Sequence, residues 1–331
     1  MDNYNRIDSE VNYLVKSHLP SGEKERSVNA ASSFFLQPQP RGNGATPLPT
    51  TTIDGIATRY EVIGSGPPLL MYAPGGFNAT IEAWSTLGSY ARIKLLDHLP
   101  KRFTCILFDR RECGQSGGRV ERITWGHFVA QGKGLLDHLG IKRAHLMGGC
   151  MGCPPVTAFA VAHPDMVSSM TLYWPVGGAK YRMSSHRRFA EHLAFVTSDG
   201  LDGVVALIKK DGKPFGADPR GGPWASVIKR DAAFAAAYAK QDSAHYKSTC
   251  EGMCRALFDR DTAPGAEPEE LMRLDIPALV VPGHDASHAT SAARYLEECL
   301  PRSDYWDVPV ERQDEDATNA RVLEFLTKIG A

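Results

Sequence analysis

The sequence predicts an α/β protein built on a mostly parallel, doubly wound sheet with a helical insertion. Short apolar runs alternate with amphipathic stretches from about residue 67 onward, which is typical of strands covered by helices on both faces. The alternation stops between residues 179 and 270, where only helical patterns occur, and then resumes. With 331 residues, of which 43% are hydrophobic and 23% charged, the chain is long enough for one large domain with an inserted subdomain.

The elements follow one another in a simple order. Residues 1–48 are polar and contain Pro, Gly and Ser, so we expect an N-terminal arm. The alternating stretch "TTTIDGIATRYEVIG" contains Asp54-Gly55, a signal for a hairpin between two strands. Apolar strands are predicted at "PPLLMYAP", "FTCILFD", "AHLMGG", "SSMTLYWP", "IPALVVPG" and "SDYWDVP". We therefore assign residues 49–178 and 271–331 to the sheet-containing core and residues 179–270 to a helical cap over the carboxyl edge of the sheet.

Charge and hydropathy exclude several classes of partner. The formal net charge of -1 gives no global attraction to nucleic acid or to an anionic membrane. No apolar run approaches the roughly 20 residues that span a bilayer, and the first residues lack the basic-then-apolar order of a signal peptide. We expect a cytoplasmic protein that acts on a small molecule, with no nucleic-acid or membrane partner. The sequence leaves a homodimer open.

The stretch "HLMGGCMGCPP", residues 145–155, allows two interpretations. Its C-x-x-C pair, Cys150 and Cys153, is the spacing of a redox site, and with Cys250 and Cys254 it could supply four thiolates to zinc. Alternatively, the Gly-x-Cys-x-Gly pattern centred on Cys150 is a tight strand-to-helix turn that presents a nucleophile. The glycines favour the second interpretation, because flanking side chains would collide in so tight a turn.

Four motifs then resemble the α/β-hydrolase fold superfamily, over about residues 50–330. "GGCMG" resembles its nucleophile elbow, "YAPGGFNATIEAW" its oxyanion loop, "FDRRECGQSGG" its Asp-x-x-Gly loop, and "LLDHLGIKRAHLMGGC" the helix and strand that lead into the elbow. The resemblance implies that Cys150 is the nucleophile and that the backbone N–H groups of Phe77 and Met151 form the oxyanion hole. A cysteine at a helix N-terminus suits this role, because the helix dipole stabilises the thiolate.

The general base departs from the superfamily pattern. The superfamily has its acid after the penultimate strand, where Asp285 follows "LVVPG", and its histidine after the final strand, where this chain has none. We predict that His288, the last histidine, is the base in an Asp285-x-x-His288 unit, with His284 as second choice. Asp285 is the first candidate for the orienting carboxylate. The loop that lacks the histidine offers three others: Glu311, Asp314 and Asp316.

These features predict a cysteine-dependent hydrolase of a small ester, lactone or activated C–C bond, which works through a thioester without a cofactor. Two alternatives stay open: an acyltransferase that uses the same Cys150, and a non-catalytic ligand-binding protein, which the missing histidine favours. The basic segment 180–192 is either a solvated helix face or a contact for an acidic substrate group. Three aromatic residues either line the pocket or belong to the core: Tyr173, Trp174 and Trp224.

Overall fold

Eight strands form one twisted sheet in the computed structural model, which describes residues 48–330. The predicted arm, residues 1–48, lies outside the described residues except for its last residue. The strand order is β1-β2-β4-β3-β5-β6-β7-β8. The strands are β1 Thr50–Ile53, β2 Ile56–Ile63, β3 Pro68–Tyr72, β4 Thr104–Phe108, β5 Ala144–Gly149, β6 Val167–Tyr173, β7 Ala278–Val281 and β8 Ser303–Tyr305. Only the β1–β2 and β2–β4 pairs are antiparallel, so the predicted mostly parallel sheet is confirmed.

The first two strands form the predicted hairpin. Asp54 and Gly55 have φ values of 49° and 69°, and Ile53 pairs with Ile56 across the turn. Positive φ at both central residues is what a two-residue hairpin turn requires. The Asp-Gly dipeptide therefore fixes the register of this edge of the sheet.

Helices cover both faces of the sheet. They are α1 Ala83–Thr86, α2 Gly88–Ile93, α3 Leu95–His98, α4 Trp125–His138, α5 Cys153–Ala162, α6 Ala179–Asp211, α7 Ala225–Arg230, α8 Ala232–Ala239, α9 Ser243–Leu257, α10 Pro268–Leu271, α11 Thr290–Cys299 and α12 Glu315–Gly330. Residues 83–98 form three short helices rather than one, because Leu87 is extended with ψ 115° and Lys94 is left-handed with φ 49°. Within the described residues, no helix is long and apolar enough to cross a bilayer.

Two apolar cores lie on opposite faces of the sheet. Leu70 and Tyr72 of β3 point into one core, whereas Leu69 and Met71 point into the other. All four side chains are buried, as expected for a parallel strand covered on both faces. The sheet is therefore packed on both faces, and it anchors the loops at the carboxyl ends of its strands.

The helical insertion between β6 and β7 contains helices α6–α10 without a strand. Helix α10 ends at Leu271, one residue beyond the predicted segment 179–270. Helix α6 is interrupted at Gly200, which has φ 71°. The Phe189 ring of α6 packs edge to face on Phe77, with ring centroids 5.9 Å apart. This contact sets the first helix of the insertion over the loop that follows β3.

Candidate active site

Cys150 lies in a sharp turn between β5 and α5. It has φ 54°, a left-handed conformation that is strained for a non-glycine residue and costs about 1–3 kcal/mol. A Cβ atom at Gly148 would collide with the backbone oxygen of Gly152, and one at Gly152 would collide with the Tyr72 carbonyl. Close backbone approach is therefore the reason for these two glycines. Cys150, which is partly exposed as a residue, is held at the carboxyl edge of the sheet.

Asp285 and His288 form a compact unit in the loop after β7. Both carboxylate oxygens of Asp285 lie 2.9 Å from His288 Nδ1. One of them also accepts the backbone N–H groups of Ser287 at 2.7 Å and His288 at 2.9 Å. The carboxylate therefore holds both the loop and the imidazole, and it fixes the proton on Nδ1. The other ring nitrogen, Nε2, is buried and has no hydrogen bond of regular geometry within the described residues.

The Cys150 sulfur and the His288 imidazole are close enough for each to shift the pKa of the other. Burial raises the pKa of the Cys150 thiol, but the His288 charge and the backbone amides of Gly75 and Met151 lower it below its usual value of 9.0. Burial lowers the pKa of His288, but Cys150 and Asp285 raise it to about 10. These opposite shifts are those of a thiolate–imidazolium pair. A side-chain interaction between His288 and Cys150 contributes to both shifts.

A buried arginine supports the backbone around the sulfur. The Arg110 guanidinium donates to the Gly76 carbonyl and, at 3.2 Å, to the Met151 carbonyl. The Gly76 carbonyl shares a trans peptide unit with the Phe77 N–H, which therefore points away from Arg110. The amide groups that act on the sulfur itself are those of Gly75 and Met151. The predicted oxyanion role of Phe77 stays a prediction, and Arg110 is the residue that orients its peptide.

The loop after β8, where the superfamily histidine was expected, contains a buried glutamine instead. Gln313 accepts a hydrogen bond from Trp174 Nε1 at 2.7 Å. It donates to the carbonyls of Pro282 at 2.9 Å and Val308 at 3.0 Å. The Trp174 ring in turn lies 5.5 Å from the His288 ring. Gln313 thus fixes the wall behind His288, a role that no sequence pattern indicated.

The structure also distinguishes between the alternative bases and acids. His284 is exposed, and its ring lies 3.3 Å from the Thr290 hydroxyl rather than beside Cys150. The three acidic residues of the β8 loop are exposed and make no hydrogen bond to His288. Asp314 instead caps α12 by accepting the Ala317 N–H at 2.9 Å. Of the candidates that the sequence left open, only Asp285 contacts His288.

The remaining cysteines do not form a second site. Cys153 is buried, its thiol lies 3.2 Å from the Gly148 carbonyl, and burial raises its pKa well above the usual value. Cys250 and Cys254 are buried in α9. In the part of the chain that the structure describes, no three His, Cys, Asp or Glu side chains are arranged to hold a metal. The four cysteines considered for zinc are therefore not grouped as ligands in the described structure, and a buried neutral Cys153 does not suit a redox pair.

The aromatic candidates also separate. Trp174 contacts His288, but Trp224 is fully buried and donates its indole N–H to the Arg119 carbonyl at 2.8 Å. Tyr173 is likewise fully buried, stacked on Trp174 with ring centroids 5.9 Å apart. Trp224 and Tyr173 therefore belong to the core, and Trp174 lies beside the candidate base.

Sequence comparisons point to one fold. A sequence model described as the alpha/beta hydrolase fold matches residues 68–214. The chain is 30% identical over 125 residues to the dihydrolipoyllysine-residue acetyltransferase component of the acetoin cleaving system of Cupriavidus necator, covering 38% of this chain and 31% of that protein. It is 47% identical over 45 residues to a 2-hydroxy-6-oxo-6-phenylhexa-2,4-dienoate hydrolase of Comamonas testosteroni, covering 14% and 16%. The chain thus spans a third or less of the length of these relatives.

Solved structures resemble most of the chain. The enol-lactonase of Burkholderia xenovorans superposes with a TM-score of 0.54 at 20% identity, covering 84% of this chain and all (100%) of that one. A meta-cleavage product hydrolase of Pseudomonas fluorescens gives 0.52 at 18% identity, covering 85% and 97%. Identities this low establish the fold and not the substrate. Together with the strand order and the matched sequence model, they show that the chain has the α/β-hydrolase fold.

Proposed function

We propose that the protein is a cysteine-dependent hydrolase of a small ester, lactone or activated C–C bond. The observation that carries this proposal is the His288 imidazole, held by Asp285 at 2.9 Å, which lowers the pKa of a thiol held in the elbow turn. Two of the similar proteins are named as hydrolases or lactonases of small molecules, which supports the same reaction class. The names of these proteins support only the reaction class. The thiol nucleophile and the thioester are proposed from the residues of this chain.

Acylation uses the ion pair directly. The Cys150 thiolate attacks the substrate carbonyl carbon, a C–S bond forms, and the carbonyl electron pair moves onto oxygen. The N–H groups of Phe77 and Met151 hold this oxyanion, each contributing on the order of 3 kcal/mol to the transition state. The oxyanion then collapses, the bond to the leaving group breaks, and the leaving group takes the proton from His288 Nε2. The product is a thioester on Cys150 with a neutral imidazole beside it.

Deacylation returns the site to its starting state. Neutral His288 accepts a proton from water through Nε2 while the water oxygen attacks the thioester carbonyl. The second tetrahedral intermediate collapses, the C–S bond breaks, and the carboxylic acid product leaves. The thiolate and the imidazolium are thereby restored. Asp285 stays ionised throughout and holds the Nδ1–H, since His288 lowers the pKa of this carboxyl although burial raises it.

An acyl adduct on Cys150 is the direct test. Wild type, Cys150→Ala, His288→Ala and the matched control Cys153→Ala are mixed with 4-nitrophenyl acetate and butyrate, and intact mass and peptide mapping follow the adduct. We expect one acyl group on Cys150 in wild type, slower loss of that group in His288→Ala, and turnover reduced at least ~1000-fold in Cys150→Ala. Wild-type turnover in Cys150→Ala would overturn the proposal.

The same experiment separates the alternatives. An adduct that added amines or thiols discharge much faster than water does would indicate an acyltransferase. Labelling of Cys150 at the rate of a denatured control, without turnover, would indicate a non-catalytic binding protein, because the elbow thiolate would then have no heightened reactivity.

A further inference from the structure

Arg188 differs from the other arginines on the first helix of the insertion, α6. Arg182 pairs with Asp261 at 3.4 Å and Arg187 pairs with Glu191 at 3.6 Å. Arg188 is partly buried, and within the described residues it has neither a hydrogen bond nor an ion pair. Burial lowers the pKa of its guanidinium, but no Arg188 nitrogen is among the buried atoms without a partner. The guanidinium is therefore available to bind an anionic ligand from solvent.

Tyr181 lies two helical turns before Arg188 and so on the same side of α6. Its side chain is only 7% exposed, and its hydroxyl is buried without a hydrogen-bond partner in the described part of the chain. The Tyr181 hydroxyl lies in the electrostatic field of Cys150, Arg188 and Arg110. A buried hydroxyl and a guanidinium, neither with a hydrogen-bond partner, therefore lie on one side of α6, near enough to Cys150 to interact with its charge.

Neighbouring contacts fix this part of the helix over the site. Phe189, the residue after Arg188, packs on Phe77 with ring centroids 5.9 Å apart, and Phe77 also contacts Phe215 at 5.4 Å. Tyr181 packs on Phe258 at 5.6 Å. Arg188 is close enough to Tyr181 and Cys150 for their charges to act on it. The polar pair is thus set in an aromatic wall that covers the oxyanion loop.

We propose that Arg188, together with the Tyr181 hydroxyl, binds a carboxylate of the substrate while the reacting carbonyl lies at Cys150. The substrate class is a small acyl compound with a second, ionised carboxyl group, such as the half-ester of a dicarboxylic acid or a lactone acid. Guanidinium and carboxylate form paired, charge-assisted hydrogen bonds. The imidazolium of His288 offsets the charge of the thiolate, so an anionic substrate is not repelled. The reaction at Cys150 rests on the proposed function, but binding of the anion does not.

Alkylation of Cys150 tests the anion site without any hydrolysis. Iodoacetate and iodoacetamide both form an S–CH₂ bond and release iodide. They differ in that iodoacetate carries a carboxylate and iodoacetamide carries a neutral amide. Peptide mapping gives the ratio of the iodoacetate rate to the iodoacetamide rate at Cys150. We expect this ratio to fall about 10- to 100-fold in Arg188→Gln, the range for a hydrogen bond to a charged group, and about threefold or more in Tyr181→Phe. The control Arg187→Gln should keep the wild-type ratio.

Ester turnover supplies the second readout. The 4-nitrophenyl monoester of glutaric acid is compared with its neutral methyl 4-nitrophenyl diester, and we expect the wild-type preference in kcat/KM for the acid to vanish in Arg188→Gln. If Arg188→Gln loses the alkylation preference and wild type turns over neither ester, the anion site is supported and the hydrolase proposal is overturned. Turnover with equal preference in wild type and Arg188→Gln, together with an unchanged alkylation ratio, would overturn the anion site alone. If Arg188→Gln does not fold, Tyr181→Phe decides, and an unchanged ratio there contradicts the proposal.

Discussion

The loops after β7 and β8 differ in the side chains that they bring to the candidate site. The loop after β7 holds both an acid and a histidine, with Asp285 and His288 joined at 2.9 Å. The loop after β8, where the superfamily places its histidine, holds Gln313, which bonds the Trp174 indole and two carbonyls. The β7 loop therefore carries the titratable groups near Cys150, and the β8 loop carries a neutral side chain that holds Trp174 beside His288.

This difference shows that a short turn is enough to place a histidine in a different loop. Asp285 folds its own loop by accepting the backbone N–H groups of residues 287 and 288, so the imidazole is aimed by a turn of four residues. A single bridge between Gly177 and His288 ties that turn to the chain after β6. A local Asx-type turn can thus replace a contact between two separate loops.

Removal of the His288 imidazole should have the largest effect on activity. We expect His288→Asn to lower kcat/KM for activated esters by about 100- to 10,000-fold, because both proton transfers and the ion pair are lost. His284→Asn, in the same loop but exposed, should leave kcat/KM within about twofold. Stopped-flow ester hydrolysis measures both, and an equal loss in the two variants would show that the loop matters only for folding.

Replacement of the orienting carboxylate should have a smaller effect. Asp285→Asn keeps the shape but allows the amide to hold the wrong imidazole tautomer, so we expect a loss of about 100-fold in kcat/KM. The pH at which His288 loses its proton should also fall, since Asp285 is one of the groups that raise its pKa. Asp314→Asn in the β8 loop is the matched control. If it costs as much as Asp285→Asn, the β8 loop supplies the acid after all.

Loss of the scaffold should affect stability more than chemistry. Gln313→Ala leaves the buried Trp174 indole N–H and two carbonyls without partners, at a cost of about 2 kcal/mol in the free energy of unfolding. We expect kcat/KM to fall less than tenfold. Urea denaturation of this variant and of the exposed control Gln241→Ala measures the difference. A large loss of activity at unchanged stability would assign Gln313 a direct part in the reaction.

The sequence was sufficient for the sheet, the elbow and Cys150. Alternating apolar runs predict the strands, and glycines at the elbow report a close backbone approach that is local in sequence. His288 followed by elimination, since the chain has no later histidine. Asp285 was the first candidate for the carboxylate partner, but the sequence did not exclude the acidic residues of the β8 loop, because these candidates differ only in how their loops turn.

Residues that act across elements escaped prediction. Arg188 lies in a basic segment that reads equally well as a solvated face, and only the packing of α6 over Phe77 shows which of its arginines lacks a partner. Gln313 and Arg110 act through backbone carbonyls of other loops. Such contacts depend on tertiary distances that carry no periodic signal in the chain.

The pH dependence of Cys150 alkylation tests the thiolate–imidazolium pair most directly. Only the thiolate reacts, so the rate with iodoacetamide rises through the pKa of Cys150. His288 holds that pKa below 9.0, and we therefore predict a midpoint below pH 9 in wild type. In His288→Asn the charge that opposes burial is lost and only the Gly75 and Met151 amides still lower the pKa of the thiol, so the midpoint should move to higher pH. An identical midpoint in both proteins would contradict the assignment of His288 as the partner of Cys150.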